Sequence, residues 1–176
     1  TAEHYWVVGY GSLINKRSAT KTIKPLVSTP VEIRGWQRIF NLKSFKNNTS
    51  FLNVRKDENS HIIGLAHKVH FSQMFDYILR ESNYDLEFLD SSTCTILNNT
   101  INCDNIPFVM VSASRLSQLG AFNPSLNYVQ SIVNGAAEIG QEARDNLCDY
   151  TLMADGKTIL GDWLDRINLV DHFSVM

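Results

Sequence analysis

Near the start of the chain the run "HYWVVGYGSLIN", residues 4–15, opens as an apolar, β-branched stretch and is broken at once by Gly9-Tyr10-Gly11-Ser12. Glycines at a strand end permit positive φ, so successive N–H groups can converge on one point as an anion-binding nest. If Ser12 caps a short helix beginning "SLINKRSA", that helix adds free N–H groups and a positive dipole end pointing the same way. A carboxylate suits such a cradle. A tight strand-to-helix turn without a ligand accounts for the same tetrapeptide. The pattern is neither G-x-G-x-x-G nor a P-loop, which argues against nucleotide phosphates, and Ser12 lacks the G-x-S-x-G context of a hydrolase nucleophile. His67 and His70 have H-x-x-H spacing, but on an extended strand they face opposite sides with no third ligand nearby, so no metal is expected. The three cysteines, Cys94, Cys103 and Cys148, are an odd number without an adjacent histidine, and read as free thiols of a reducing compartment.

The elements that must position these residues change character along the chain. "YWVVGY" reads as a buried strand and "VEIRGWQRIFNL" as a second, with Gly35 at a bulge or close-packing point. "SFLNV" and "HIIGLAHKVH" read as hairpin partners across the charged turn "RKDENS". In "FSQMFDYILRESNYDLEFL", Phe71, Met74, Phe75, Ile78 and Leu79 recur at helical spacing, with Ser72 as N-cap. "STCTILNNTINC" and "IPFVMVSAS" return to strand character around an Asn-rich turn. The last third is helical: "NPSLNYVQSIVNGAAEIG" has Asn123 as cap, Pro124 at the first helical position and Gly140 as its stop. Strands first and helices last is an α+β order.

At 176 residues with 44% hydrophobic content, the chain can bury a core of its own, and one domain over residues 1–176 is expected. The net charge of -2 arises from 16 basic and 18 acidic residues without long runs of either sign, so neither nucleic acid nor an anionic membrane is an expected partner. No segment approaches the roughly 20 apolar residues of a membrane span, and no signal peptide is evident. A cytoplasmic location follows, in which the sequons at Asn47, Asn48 and Asn98 carry no meaning.

Taken in order, "VVGYGSLI", "EIRGWQRIF", "LRESNY" and "PSLNYVQSIVNGA" resemble the gamma-glutamylcyclotransferase superfamily, including its ChaC-type branch. Tyr-Gly-Ser-Leu and Arg-Glu-x-x-Tyr are the most specific parts. The resemblance implies a gamma-glutamylcyclotransferase-like fold, a small mixed, barrel-like sheet with surrounding helices. It also implies a pocket for the glutamyl end of a small gamma-glutamyl compound, and a reaction that releases 5-oxoproline with no metal or organic cofactor. Tyr10, Gly11, Ser12 and Leu13 would hold the substrate's α-carboxylate and α-amino group through backbone groups, and the family's essential glutamate falls on Glu81. Tyr128, in the matching "Y…GA" segment, would hydrogen-bond the substrate or that glutamate.

The chemistry agrees with this economy of parts. The substrate's α-amine must attack its own γ-carbonyl, so one carboxylate that takes a proton from the amine and returns one to the departing nitrogen suffices. Ring closure within one bound molecule draws on effective molarity, and backbone N–H groups would stabilise the oxyanion. Glu81 follows an apolar helical run, where the negative dipole end raises a carboxylate's proton affinity. Asp85 and Glu87 are its rivals. Tyr84, Arg34 and Trp36 are further candidates for the pocket lining. Asn15 stands where the glutathione-specific branch often has an aromatic residue, and no Asp precedes Arg80-Glu81. The substrate therefore stays open among glutathione, gamma-glutamyl amino acids and gamma-glutamylamines. The alternative is a non-catalytic module of the same fold that binds a carboxylate-bearing metabolite or a protein.

Overall fold

The computed structural model describes residues 2–14, 23–44, 48–80, 84–101, 105–113 and 122–174. Its strands are β1 (His4–Gly9), β2 (Val27–Ser44), β3 (Thr49–His70), β4 (Asp85–Leu89), β5 (Cys94–Ile96) and β6 (Phe108–Ser112). They form one sheet of order β4-β6-β1-β3-β2-β5, in which only β1 and β6 run parallel. The sheet curls into a half-barrel. The helices are α1 (Phe71–Arg80), α2 (Leu126–Ile139), α3 (Gln141–Tyr150) and α4 (Leu160–Ser174). The α+β expectation and the mixed, barrel-like sheet with surrounding helices are thus met.

Two apolar layers explain why β1 reads as an unbroken hydrophobic run. Trp6 and Val8 pack on one face with Val129 and Ile132 of α2 and Leu147 of α3. Val7, pointing the other way, packs with Val69, Val109 and Met74 of α1. A strand covered on both faces has no polar alternation to show.

The expected hairpin across "RKDENS" is not formed. Residues 49–70 are one strand, paired along β2 rather than folded on itself. The hexapeptide has no Gly or Pro to reverse the chain, and its charges are carried on exposed strand positions, with Arg55 bonding Gln37 of β2 at 3.0 and 3.2 Å. Part of the signal is real. Pairing jumps from Arg34↔His61 to Trp36↔Lys56, so residues 57–60 bulge opposite Gly35, whose φ of 90° lies in the region that favours glycine.

Three helix expectations need correction. Ser72 is not an N-cap but lies inside α1, where its N–H is taken by Nδ1 of His70 at 3.3 Å. Phe71, placed on the buried face by its spacing, is exposed at the first position of α1. The helical stretch also ends sooner than "FSQMFDYILRESNYDLEFL" implied, because residues 85–89 are β4, paired with β6. In α2 the cap is Ser125 rather than Asn123, with its hydroxyl accepting from the N–H of Tyr128. Asn123 and Pro124 precede the helix, whereas Gly140 ends it as expected.

Candidate active site at the end of β1

The chain turns sharply after β1 because two glycines let main chains touch. A Cβ on Gly9 would lie 2.6 Å from the backbone of Leu13, and one on Gly64 of β3 would lie 2.5 Å from the carbonyl oxygen of Gly9. Neither Gly9 nor Gly11 has positive φ, so the expected left-handed nest is not how the loop is built. Close approach is what demands glycine here. Ser12 likewise caps no regular helix but opens a 3-10 turn, Ser12–Ile14, closed by Ile14 N–H on the Gly11 carbonyl at 3.0 Å. Asn15 lies outside the described residues.

A cavity of about 350 Å³ opens beside this loop. Its walls are residues 8–13, Phe51 and Leu52 of β3, Tyr84, Val111 of β6 and Tyr128 of α2. All five candidates of the first loop and α2, namely Tyr10, Gly11, Ser12, Leu13 and Tyr128, therefore border one void. The Tyr10 hydroxyl donates to the Val111 carbonyl at 2.7 Å and ties the loop to β6. Tyr128 reaches over Gly11, whose added Cβ would sit 3.3 Å from the tyrosine oxygen. That oxygen accepts the N–H of Leu52 at 3.3 Å. Leu52 needs this partner because the β2–β3 register shifts between Ile39 and Leu42 and leaves it opposite no residue of β2. Phe51 packs edge-on against the Tyr128 ring at 5.1 Å. Burial pushes the Tyr128 phenol up to about 12, which keeps it a neutral donor over the working pH range.

Glu81 lies outside the described residues. Tyr84, three positions later, is in the cavity wall. Of the rival acids, neither Asp85 nor Glu87 lines the cavity; both sit on β4, and Glu87 accepts the Ser112 hydroxyl at 2.9 Å. Arg34 and Trp36 do not line it either. Arg34 is held outside by the Ser92 carbonyl at 2.6 Å and Glu32 at 3.6 Å, and Trp36 lies under the Lys56 ammonium at 5.8 Å.

Two buried polar side chains stand behind the loop: Arg38, which no sequence pattern marks, and His67, whose spacing suggests nothing of its role there. Arg38 of β2, 1% exposed, donates Nε–H to the Tyr10 carbonyl at 2.8 Å and Nη2–H to the Ile63 carbonyl at 2.7 Å. Its Nη1–H goes to Oδ1 of Asn146 on α3 at 2.8 Å. Asn146 in turn accepts the Ile63 N–H at 2.8 Å and donates to the His61 carbonyl at 3.0 Å. Burial pushes the Arg38 guanidinium down to about 9, against an opposing pull from Tyr10, so it is charged at neutral pH. Among the described residues no carboxylate pairs with it. His67 of β3, fully buried, meets the Leu13 carbonyl through Nε2 at 2.7 Å and the Ser28 hydroxyl through Nδ1 at 2.7 Å. The only pattern that marked it was H-x-x-H, and its partners are unrelated to a metal.

Burial raises the thiols of Cys94, to about 11, and of Cys148; Cys103 lies outside the described residues. Among the described residues no group of three or more His, Cys, Asp or Glu side chains is placed to hold a metal ion, and no helix is long and apolar enough to cross a membrane.

No family model matches the sequence, and no curated protein matches it. Solved structures do. The structure of a gamma-glutamyl cyclotransferase superposes with a TM-score of 0.61 at 12% identity, covering 82% of this chain and 85% of that one. A gamma-glutamyl cyclotransferase specific to glutathione from yeast gives 0.58 at 13% identity, covering 85% and 98%. YkqA from Bacillus subtilis gives 0.59 at 17% identity; 83% of this chain is covered but only 53% of YkqA, so the chain spans about half its length. The common element of these matches is the curled sheet with its helices, and the chain has the fold of the gamma-glutamyl cyclotransferases.

Proposed function

We propose that the chain is a gamma-glutamyl cyclotransferase, acting on a small gamma-glutamyl compound with residues 1–176 as one domain. The observation that carries this reading is the cavity at the end of β1. There the main chain of Tyr10-Gly11-Ser12-Leu13 and the hydroxyl of Tyr128 border one void. In the proposed reaction the loop N–H groups hold the α-carboxylate while the substrate folds back on itself. A bond forms between the α-nitrogen and the γ-carbon, and the bond from that carbon to the leaving nitrogen breaks. Glu81 takes a proton from the former nitrogen and delivers one to the latter. Products are 5-oxoproline and the free amine or shorter peptide, with no water consumed. Asp85 and Glu87 lie on β4 and neither lines the cavity, which supports Glu81 over these rivals. The free thiols of Cys94 and Cys148 fit a reducing, cytoplasmic setting.

The test is 5-oxoproline release from a panel of glutathione, gamma-glutamyl amino acids and gamma-glutamylamines. Wild type should turn over at least one, and Glu81→Gln should lose about a hundredfold or more in kcat, the scale of general acid–base catalysis. Undiminished release by that variant removes Glu81 from its role. Ligand binding by wild type without product across the panel replaces the enzyme with a binding module.

A further inference from the structure

The loop that borders the cavity contributes carbonyl oxygens as well as N–H groups, and a carbonyl facing a bound carboxylate repels it. The carbonyls of Tyr10, Gly11 and Leu13 are each taken by a donor of the protein itself. Arg38 Nε–H holds the first at 2.8 Å, Ile14 N–H the second at 3.0 Å and His67 Nε2–H the third at 2.7 Å. Because a carbonyl can only accept, His67 carries a proton on Nε2, while its Nδ1 meets the Ser28 hydroxyl at 2.7 Å. Neither Arg38 nor His67 lines the cavity.

In a trans peptide the N–H points opposite to the carbonyl that precedes it. Fixing the Tyr10 and Gly11 carbonyls therefore fixes the Gly11 and Ser12 N–H groups on the other side, and neither has an acceptor among the described residues. The Arg38 guanidinium, buried without a carboxylate partner among those residues, also polarises the Tyr10–Gly11 peptide and strengthens its N–H as a donor. Arg38 itself is held square by the Ile63 carbonyl and Asn146.

Resting on the reading of this loop as the glutamyl subsite, we infer that Arg38 and His67 are positioning residues. They hold the Tyr10 and Leu13 carbonyls back, so that neither of these turns toward the substrate's α-carboxylate and the Gly11 and Ser12 N–H groups are left to meet it. Neither touches substrate. Their effect is on recognition of the carboxylate and not on the cavity as a whole, and this separates positioning from mere support of the fold.

The experiment compares 5-oxoproline, which keeps only the glutamyl part, with 2-pyrrolidinone, the same ring without the carboxylate. Dissociation constants come from NMR titration of the full chain. Wild type should favour 5-oxoproline by about tenfold, the range of charge-assisted hydrogen bonds. In Arg38→Met that ratio should fall toward one while 2-pyrrolidinone binds as before, and Arg38→Lys, which restores the charge and one donor, should recover part of it. An unchanged ratio in folded Arg38→Met, or equal loss for both ligands, overturns the inference. Should Arg38→Met fail to fold, His67→Leu decides by the same ratio. A wild-type ratio of one overturns it as well. Turnover of a gamma-glutamyl compound with an unchanged variant ratio leaves the cyclotransferase standing and removes only the positioning role. A carboxylate preference lost in the variant without any turnover does the reverse.

Discussion

Tyr128→Phe separates the hydroxyl that borders the cavity from the ring that packs there. Burial holds the phenol at about 12 in the folded chain, against about 10 for an exposed tyrosine. The folded value is the higher of the two. The associated stability is therefore complete below pH 10 and is lost as pH rises toward 12, because the unfolded chain releases its proton first. At pH 11 the unfolded phenol is mostly ionised and the folded one mostly neutral, which removes about 1 kcal/mol relative to pH 8. The variant has no such titration. At pH 8 it instead loses the acceptor of the Leu52 N–H, a cost of about 1 kcal/mol. Urea unfolding of both proteins at pH 8 and pH 11 should thus show wild type ahead at the lower pH and level with or behind Phe at the higher. A gap that stays constant between the two pH values refutes the argument, since groups not coupled to Tyr128, as Tyr84 is, titrate alike in both proteins and cancel.

Three further outcomes follow from the same geometry. Gly9→Ala forces a methyl against the Leu13 backbone, 2.6 Å away, and should cost about 3 kcal/mol or more by overpacking, lowering Tm by about 6–12 °C in thermal melts. Gly11→Ala meets the far end of Tyr128 at 3.3 Å and Leu52 at ordinary contact distance; it should cost under about 1 kcal/mol, yet weaken 5-oxoproline binding in titrations by narrowing the cavity. Asn146→Leu strips partners from the Ile63 N–H and from Arg38 together, and urea unfolding should show a loss of about 3 kcal/mol or more.

Local signals in the sequence were as good as the physics behind them. The break after "WVVG" located the loop, because an apolar run stopping at two glycines has few explanations, although the glycines serve close contact with Leu13 and Tyr128 instead of positive φ. The α2 cap was misplaced by two positions since Asn123-Pro124 and Ser125 are both legitimate openings, and only the hydroxyl bond to Tyr128 N–H chooses between them. "RKDENS" misled because strand residues exposed to water carry charge as readily as turns do. The roles of Arg38 and His67 are illegible for a different reason. A buried charge is defined by what surrounds it, and the partners of Arg38 come from Tyr10, Ile63 and Asn146, positions 28, 25 and 108 away in the chain. No spacing rule reaches that far.

The order of strands across the sheet also bears on when the cavity comes into being. β2 and β3 are neighbours in sequence and can zip together from their own connection. β1, by contrast, sits beside β6, and the Tyr10–Val111 bond joins residues 101 positions apart. Such a distant closure is entropically slow. During synthesis the long β2–β3 ribbon can be complete while the partner of Trp6 at Phe108 has yet to leave the ribosome. The wall between Tyr10 and β6 is accordingly among the last parts to assemble, and damage there should quicken unfolding while leaving the rate of folding nearly untouched.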